Sequence, residues 1–246
     1  MSEVLTTAEG HVPESLDADL ESKPLAQALR EATWGSHERA EYSPFEQALA
    51  HGRLKVEAYR DLLAQTWFVY KALEEVADQI SEDPIAGPII FPELTRLPAM
   101  TADLVYYYGE DWATQIDILA VTEDYTDRIR KIAANDPIRY VAHHYTRYLA
   151  DLSGGFVIDR AIKKAYDLEL DGRRYYQFDG IPDAKAFKEN YRDVLDGLEI
   201  DLDTKRTLVQ EVLVAYEFNV EMIRQLTERH KPIEIEGAPE AEGAPA

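Results

Sequence analysis

The strongest constraint on the fold is a single apolar stripe between residues 56 and 80. Successive members of the stripe are three or four positions apart: Val56, Tyr59, Leu63, Thr66, Tyr70, Leu73, Ala77 and Ile80. Because an α-helix has 3.6 residues per turn, this spacing places these side chains on one face, whereas a strand would require strict alternation. The stripe therefore predicts one long helix with one buried side.

Helix boundaries are marked along the sequence before this stripe. Pro24 begins a segment that ends near Glu41. The run Ser43-Pro44-Phe45-Glu46 then combines a cap residue, a first-turn proline and a carboxylate three positions after the cap, and Gly52 ends the short helix that follows. This arrangement is typical of a capping box at a helix start.

The sequence after the stripe contains the same signals. Helical segments are predicted at about 93–108, 111–134 and 136–170, the last with an interruption at Gly154-Gly155. Two more helices follow, one capped by Asp183 and one that is capped by Asp203 and ends at Pro232. A loop is predicted from Arg173 to Pro182. Since the sequence has no alternating strands of useful length and no fixed repeat, we predict a single all-α domain of about eight helices over residues 23–231.

The charge of the chain limits its partners. Lys and Arg number 26 against 47 Asp and Glu, a formal net charge of −21. Nucleic acid and anionic membrane, which bind mainly through Lys and Arg, are therefore disfavoured. The two ends, 1–22 and 232–246, are acidic and are predicted to be flexible tails.

Two absences narrow the chemistry and the location. The sequence has no cysteine, which excludes disulfides and thiolate-ligated metals. It also has neither a secretory signal nor an apolar run near the roughly 18 residues that span a bilayer, so we expect a cytoplasmic protein without a membrane anchor.

The first predicted helix contains the most informative histidine. His37 lies beside an apolar face, with Glu41 one turn further on. It is either a half-buried histidine paired with this carboxylate or a metal ligand whose second ring nitrogen Glu41 orients. The Glu-x-x-His pairs of di-iron bundles and the His-Glu-x-x-His motif of zincins are absent, so neither of those metal sites is present.

Two other groups of residues suggest a bound ligand. Gly154 and Gly155 disfavour a helix, and they indicate close helix packing, a bend, or a flat ligand resting on bare backbone near Asp151. Lys188 and Arg192 lie one turn apart and form either solvated surface or, with Arg30, a site for a dianion. Arg30 and His37 are separated by seven residues, roughly 10 Å of helix.

These segments together resemble the haem oxygenases from about Pro24 to His230. Residues 29–41 resemble the proximal helix of that family. Residues 145–155, Tyr-Thr-Arg-Tyr-Leu-Ala-Asp-Leu-Ser-Gly-Gly, resemble its distal motif Y-T-R-Y-L-G-D-L-S-G-G, and further matches occur at 91–93 and 188–192. Because the distal motif is long and specific, the chain is identified as a member of this family.

The resemblance implies an all-α fold that holds haem b between a proximal and a kinked distal helix. Haem is then both substrate and cofactor. The implied reaction is its oxidative cleavage by O₂, with electrons from an external reductase or ferredoxin, to biliverdin, CO and ferrous iron. The α isomer of biliverdin is expected.

The resemblance also implies roles for individual residues. On the proximal side, His37 corresponds to the axial iron ligand and Glu41 to its partner. The distal carboxylate and its polar neighbours correspond to Asp151, Arg147, Tyr70 and Asn219. Gly154 and Gly155 correspond to the glycines that let the backbone approach haem closely. The positions that contact the haem propionates correspond to Arg30, Tyr145, Lys188 and Arg192.

One departure from the family motif affects the expected turnover. Ala150 replaces the first distal glycine and places a methyl group near the oxygen site. The alternative hypothesis is therefore a haem-binding or haem-buffering protein in which Ala150 impairs turnover. His143 and His144, two turns before Asp151, are disfavoured as haem ligands.

Overall fold

The computed structural model describes residues 16–231, which form nine α-helices and no strand. In chain order they are α1 Leu16–Ser22, α2 Leu25–Glu41, α3 Pro44–Ala50, α4 Val56–Ile80, α5 Leu97–Tyr108, α6 Ala120–Lys131, α7 Pro137–Ala165, α8 Ala184–Asp196 and α9 Leu202–His230. The all-α prediction is confirmed. None of the helices in these residues is both long and apolar enough to cross a membrane.

The long helix α4 has the bounds that its apolar stripe predicts. Tyr59, Leu63, Tyr70 and Leu73 are all buried, and α4 packs against α5, α6 and α9. Burial of each large apolar side chain contributes about 1.5–3 kcal/mol, so this stripe holds several helices on one core element.

The cap predictions are correct at two helices and wrong at a third. Ser43 Oγ accepts a hydrogen bond from the Glu46 N–H at 3.3 Å, and Asp183 accepts from the N–H groups of the first turn of α8. Helix α9, however, is capped by Asp201, which accepts from the Thr204 N–H at 2.8 Å. Asp203 lies inside the helix and pairs with Arg206 instead.

The predicted flexible tail at 1–22 is wrong for its last seven residues, which form α1. Leu16 and Leu20, one turn apart, are buried, and the helix packs against α2 and α9. Asp17 forms an ion pair with Arg206 at 2.6 Å. Two well-placed leucines therefore outweigh the local acidity. The rest of the predicted tails, 1–15 and 232–246, lies outside the described residues.

Helix α7 continues through the glycine pair. Residues 137–165 form one α-helix, so the predicted interruption at Gly154-Gly155 is wrong, and the helix ends five residues earlier than predicted. Its kink stays a prediction. Because α7 packs against α3, α4, α8 and α9, it positions one wall of the cavity described next.

Candidate functional site

The described residues enclose a cavity of about 520 Å³ between α2, α3, α4, α7 and the short turn Arg174–Tyr176. This volume lies within the range of small-molecule and cofactor pockets, roughly 300–1,000 Å³. The predicted site residues that line it are His37, Glu41, Arg147, Ala150, Asp151, Gly154 and Gly155. Folding therefore brings the predicted proximal and distal segments to one cavity.

His37 is held in the cavity wall by aromatic rings. Trp34 stacks on the imidazole with centroids 5.2 Å apart and planes at 13°, and Tyr216 of α9 contacts its edge at 6.2 Å. Glu41 Oε2 lies 3.5 Å from Nδ1, which is buried and has no hydrogen-bond partner among the described residues. Nδ1 therefore faces the carboxylate, and Nε2 is the nitrogen left for a ligand.

Asp151, on α7, is held by a hydrogen-bond network. Its Oδ2 accepts from the hydroxyls of Tyr70 and of Tyr175, the latter at 2.6 Å. Oδ1 lies 3.9 Å from Arg147 Nη2. Burial, reinforced by Asp151, raises the pKa of both tyrosines, so both keep their protons and donate. Since Oδ2 has two donors, Oδ1 is the oxygen free to bind solvent or ligand.

The predicted distal residues Tyr70 and Asn219 lie behind the cavity wall rather than in it. Tyr70 is fully buried and reaches the site only through Asp151. Arg147 donates to Asn219 Oδ1 at 2.7 Å and to Tyr175 Oη at 3.2 Å. The two residues therefore support Asp151 and Arg147, which themselves face the cavity.

Of the glycine pair, Gly154 leaves open space on the cavity side of α7. A Cβ atom added to Gly154 would meet nothing within 4 Å, whereas one added to Gly155 would lie 3.0 Å from Tyr176 Cδ1. Ala150, one turn before Gly154, is exposed to the same cavity. The bare backbone at Gly154 and the imidazole of His37 together fit a flat, iron-containing ligand such as haem.

The predicted propionate cations Arg30, Lys188 and Arg192 do not line the cavity. Lys188 Nζ donates to Ser153 Oγ at 3.2 Å, and Ser153 is a cavity residue. Burial raises the pKa of Tyr145, and Arg192 and Arg30 oppose this rise, so both cations lie near that ring. Helices α2 and α8 are joined where the Ala26 N–H donates to Asp196 at 2.7 Å.

Sequence reasoning missed several cavity residues. Tyr175 and Tyr176 come from the segment predicted as a loop, which has no periodicity to indicate where its side chains point. Asp103 accepts from the Tyr175 N–H at 2.8 Å and so fixes that turn. The sequence pattern did include Glu46, but as the last residue of a capping box, so its carboxylate was expected to bond the backbone at the start of the helix. In the structure the Ser43 N–H donates to the Ala40 carbonyl instead, and Glu46 lines the cavity.

Comparison with known proteins decides the family. A family model described as heme oxygenase matches residues 23–225. The chain belongs to the heme oxygenase family. Heme oxygenase 1 of Synechocystis sp. is 40% identical over 202 residues, covering 82% of this chain and 84% of the relative. Heme oxygenase 1 of Gallus gallus is 35% identical over 225 residues, covering 90% and 74%.

Solved heme oxygenase structures share the fold. The crystal structure of heme oxygenase-1 from Synechocystis sp. in complex with heme has a TM-score of 0.80 at 39% identity, covering 84% of this chain and 94% of that one. The heme oxygenase from Leptospira interrogans has a TM-score of 0.79 at 34% identity, covering 82% and 100%. The predicted family and fold class are thus confirmed.

Proposed function

We propose that the protein cleaves haem b oxidatively, with O₂ and electrons from an external reductase or ferredoxin, to biliverdin, CO and ferrous iron. The observation that supports this most directly is the cavity itself. It has His37 on one wall, and Asp151 and the bare backbone of Gly154 come from α7. Haem, when bound, supplies the iron that binds O₂ and the macrocycle that is cleaved.

The proximal residues hold the substrate by its iron. In this proposal His37 Nε2 is the ligand, because Nδ1 faces Glu41 Oε2 at 3.5 Å. The Glu41 carboxylate beside Nδ1 favours the tautomer whose proton is on that nitrogen. Stacking on Trp34 further limits rotation of the imidazole.

The distal residues hold the Asp151 carboxylate in position and provide a route for a proton. Asp151 Oδ1 is the free carboxylate oxygen of the network, and we assign to it the binding of solvent and the supply of a proton to the cavity between α7 and His37. Tyr70 and Tyr175 keep Oδ2 in place, and Arg147 keeps a positive charge 3.9 Å from Oδ1. This arrangement fixes the carboxylate before substrate enters.

The cations at the cavity edge select the orientation of haem. Lys188 is tied to the cavity wall through Ser153, while Arg30 and Arg192 lie near Tyr145. Ion pairs with the two propionates would prevent rotation of the ring about the iron axis. The agreement of these positions with the family arrangement supports cleavage at the α position.

The test is aerobic incubation of purified protein with haemin and a reductant, followed by separation of the products. We expect biliverdin, predominantly the α isomer. No biliverdin under these conditions would overturn the proposal. His37→Ala should lose the absorption spectrum of histidine-ligated haem, and His51→Ala, which changes another cavity histidine, should keep it. A normal spectrum in His37→Ala would refute the ligand assignment.

A second candidate function is haem binding with impaired turnover. The observation that favours it is the Ala150 methyl group, which is exposed to the cavity next to Asp151. In that case haem should bind tightly but persist under reductant and air, and Ala150→Gly should restore degradation. Rapid biliverdin formation by the unchanged protein would exclude this candidate.

A further inference from the structure

Glu46 is a second cavity carboxyl, contributed by α3 rather than α7. It is partly buried, and it lines the same cavity as Asp151 and Arg147. No residue between 16 and 231 donates a hydrogen bond to its carboxyl, whereas its backbone N–H donates to Ser43 Oγ. An unpaired carboxyl in a cavity wall is costly unless solvent reaches it or it carries a proton.

The groups around Glu46 oppose its ionisation overall. The charged and titratable groups that face this part of the cavity are Arg147 and Asp151 from α7, His37 and Glu41 from α2, Tyr59 from α4, Tyr216 from α9, His51 after α3, and Tyr175 and Tyr176 from the 174–176 turn. Burial raises the pKa of Glu46 to about 7, Arg147 opposes the rise, and Asp151 and Glu41 add to it. Near neutral pH the carboxyl is therefore a mixture of its protonated and ionised forms.

A second polar group in the wall of this cavity also lacks a partner in the described part of the chain. Tyr59 lines the cavity, and its hydroxyl is buried without a hydrogen-bond partner among the described residues. A buried hydroxyl left unpaired costs about 1–3 kcal/mol. The cavity itself is large enough to hold water beside the Glu46 carboxyl and the Asp151 carboxylate, which both line it.

We infer that Glu46 is a proton relay residue of this cavity, which passes a proton through cavity solvent to the Asp151 carboxylate and regains one from bulk water. The inference rests on the proposed function and deepens it. In each cycle one O–H bond breaks at Glu46 and one forms at Asp151. Glu46 is then reprotonated from the rim of the cavity, where His51 is exposed. An acid that is half protonated at the working pH transfers protons best in both directions.

The experiment compares Glu46→Gln with the unchanged protein in two measurements. The first is the pH dependence of single-turnover haem cleavage. We expect the unchanged protein to show a limb with a midpoint near 7 and Glu46→Gln to lose this limb, with a rate at least fivefold lower at neutral pH. Glu46→Asp, which keeps an ionisable group, should restore part of the rate. Glu38→Gln changes an exposed glutamate of α2 outside the cavity and serves as the matched control.

The second measurement is independent of activity. Infrared difference spectra of the haem-free protein between pH 6 and pH 8 should show a protonated-carboxyl band that titrates near neutrality and is missing in Glu46→Gln. An unchanged pH profile in active Glu46→Gln, or no such band in the unchanged protein, would overturn the inference. Failure of the proposed function is distinct, since the unchanged protein would then form no biliverdin whatever the infrared result.

Discussion

Tyr175 offers a direct test of the network around Asp151. Tyr175→Phe would keep the ring and remove only the hydroxyl that donates to Asp151 Oδ2 at 2.6 Å and accepts from Arg147 at 3.2 Å. A hydrogen bond to a charged group contributes about 1.5–3 kcal/mol. Because Oδ2 keeps the Tyr70 hydroxyl and Arg147 keeps Asn219, we expect a loss in the free energy of unfolding at the lower end, about 1.5–2 kcal/mol.

The assay is a double-mutant cycle by urea unfolding, with Asp151→Asn as the second substitution. We expect a coupling energy of at least about 1 kcal/mol, since the two groups are in direct contact. The matched control is Tyr176→Phe in the same turn, which should cost less than about 0.5 kcal/mol because no hydrogen bond of its hydroxyl contributes to this network. Equal losses for Tyr175→Phe and Tyr176→Phe, with coupling near zero, would refute the reasoning.

Three further predictions concern stability and the cavity. Glu211 is fully buried, accepts two hydrogen bonds from Arg128 at 2.6 and 2.7 Å and lies 2.9 Å from His143. Glu211→Gln should therefore lower the free energy of unfolding by about 3–5 kcal/mol in urea titrations. A loss below about 1 kcal/mol would contradict this prediction. Burial lowers the pKa of His144 to about 3 in the folded protein, whereas the pKa of an unfolded histidine is about 6.5. The stability that the neutral imidazole contributes is therefore complete above about pH 6.5. Between about pH 6.5 and pH 3 the free energy of unfolding falls by about 1.4 kcal/mol per pH unit. Urea titrations at pH 7 and pH 5 should show this loss of about 2 kcal/mol, and His144→Asn should lack it. Gly154→Ala should raise stability by about 0.5–1 kcal/mol and weaken haem binding several-fold in absorption titrations, because the new methyl group meets nothing but the cavity; unchanged affinity would argue against haem resting there.

Local patterns predicted the helices well. The stripe from Val56 to Ile80 predicted α4 to the residue, and Ser43 and Asp183 cap the helices they were expected to cap. These features depend on residues only a few positions apart. The missed helix α1 has a different cause, because its contacts with α2 and α9 hold it rather than its own composition.

The residues of the cavity also fall into those that a local pattern predicted and those that it did not. The spacing of His37 and Glu41 and the motif around Asp151 were evident in the sequence, and both segments line the cavity. Tyr175 and Glu46 were not evident as site residues. Tyr175 reaches Asp151 because Asp103, on α5, holds its backbone, and Glu46 faces the cavity because its expected partner, the Ser43 N–H, donates to Ala40.

The sequence by itself determined the fold class, the family and the residues that share each helix face. It could do so because a helix repeats every 3.6 residues and its ends depend on neighbouring side chains. Only the tertiary structure decided which faces meet, and hence that Glu46 and Tyr175 join Asp151 in one site. Tyr175 and Glu46 lie 24 and 105 positions from Asp151 along the chain, and no local pattern encodes their proximity in the cavity wall.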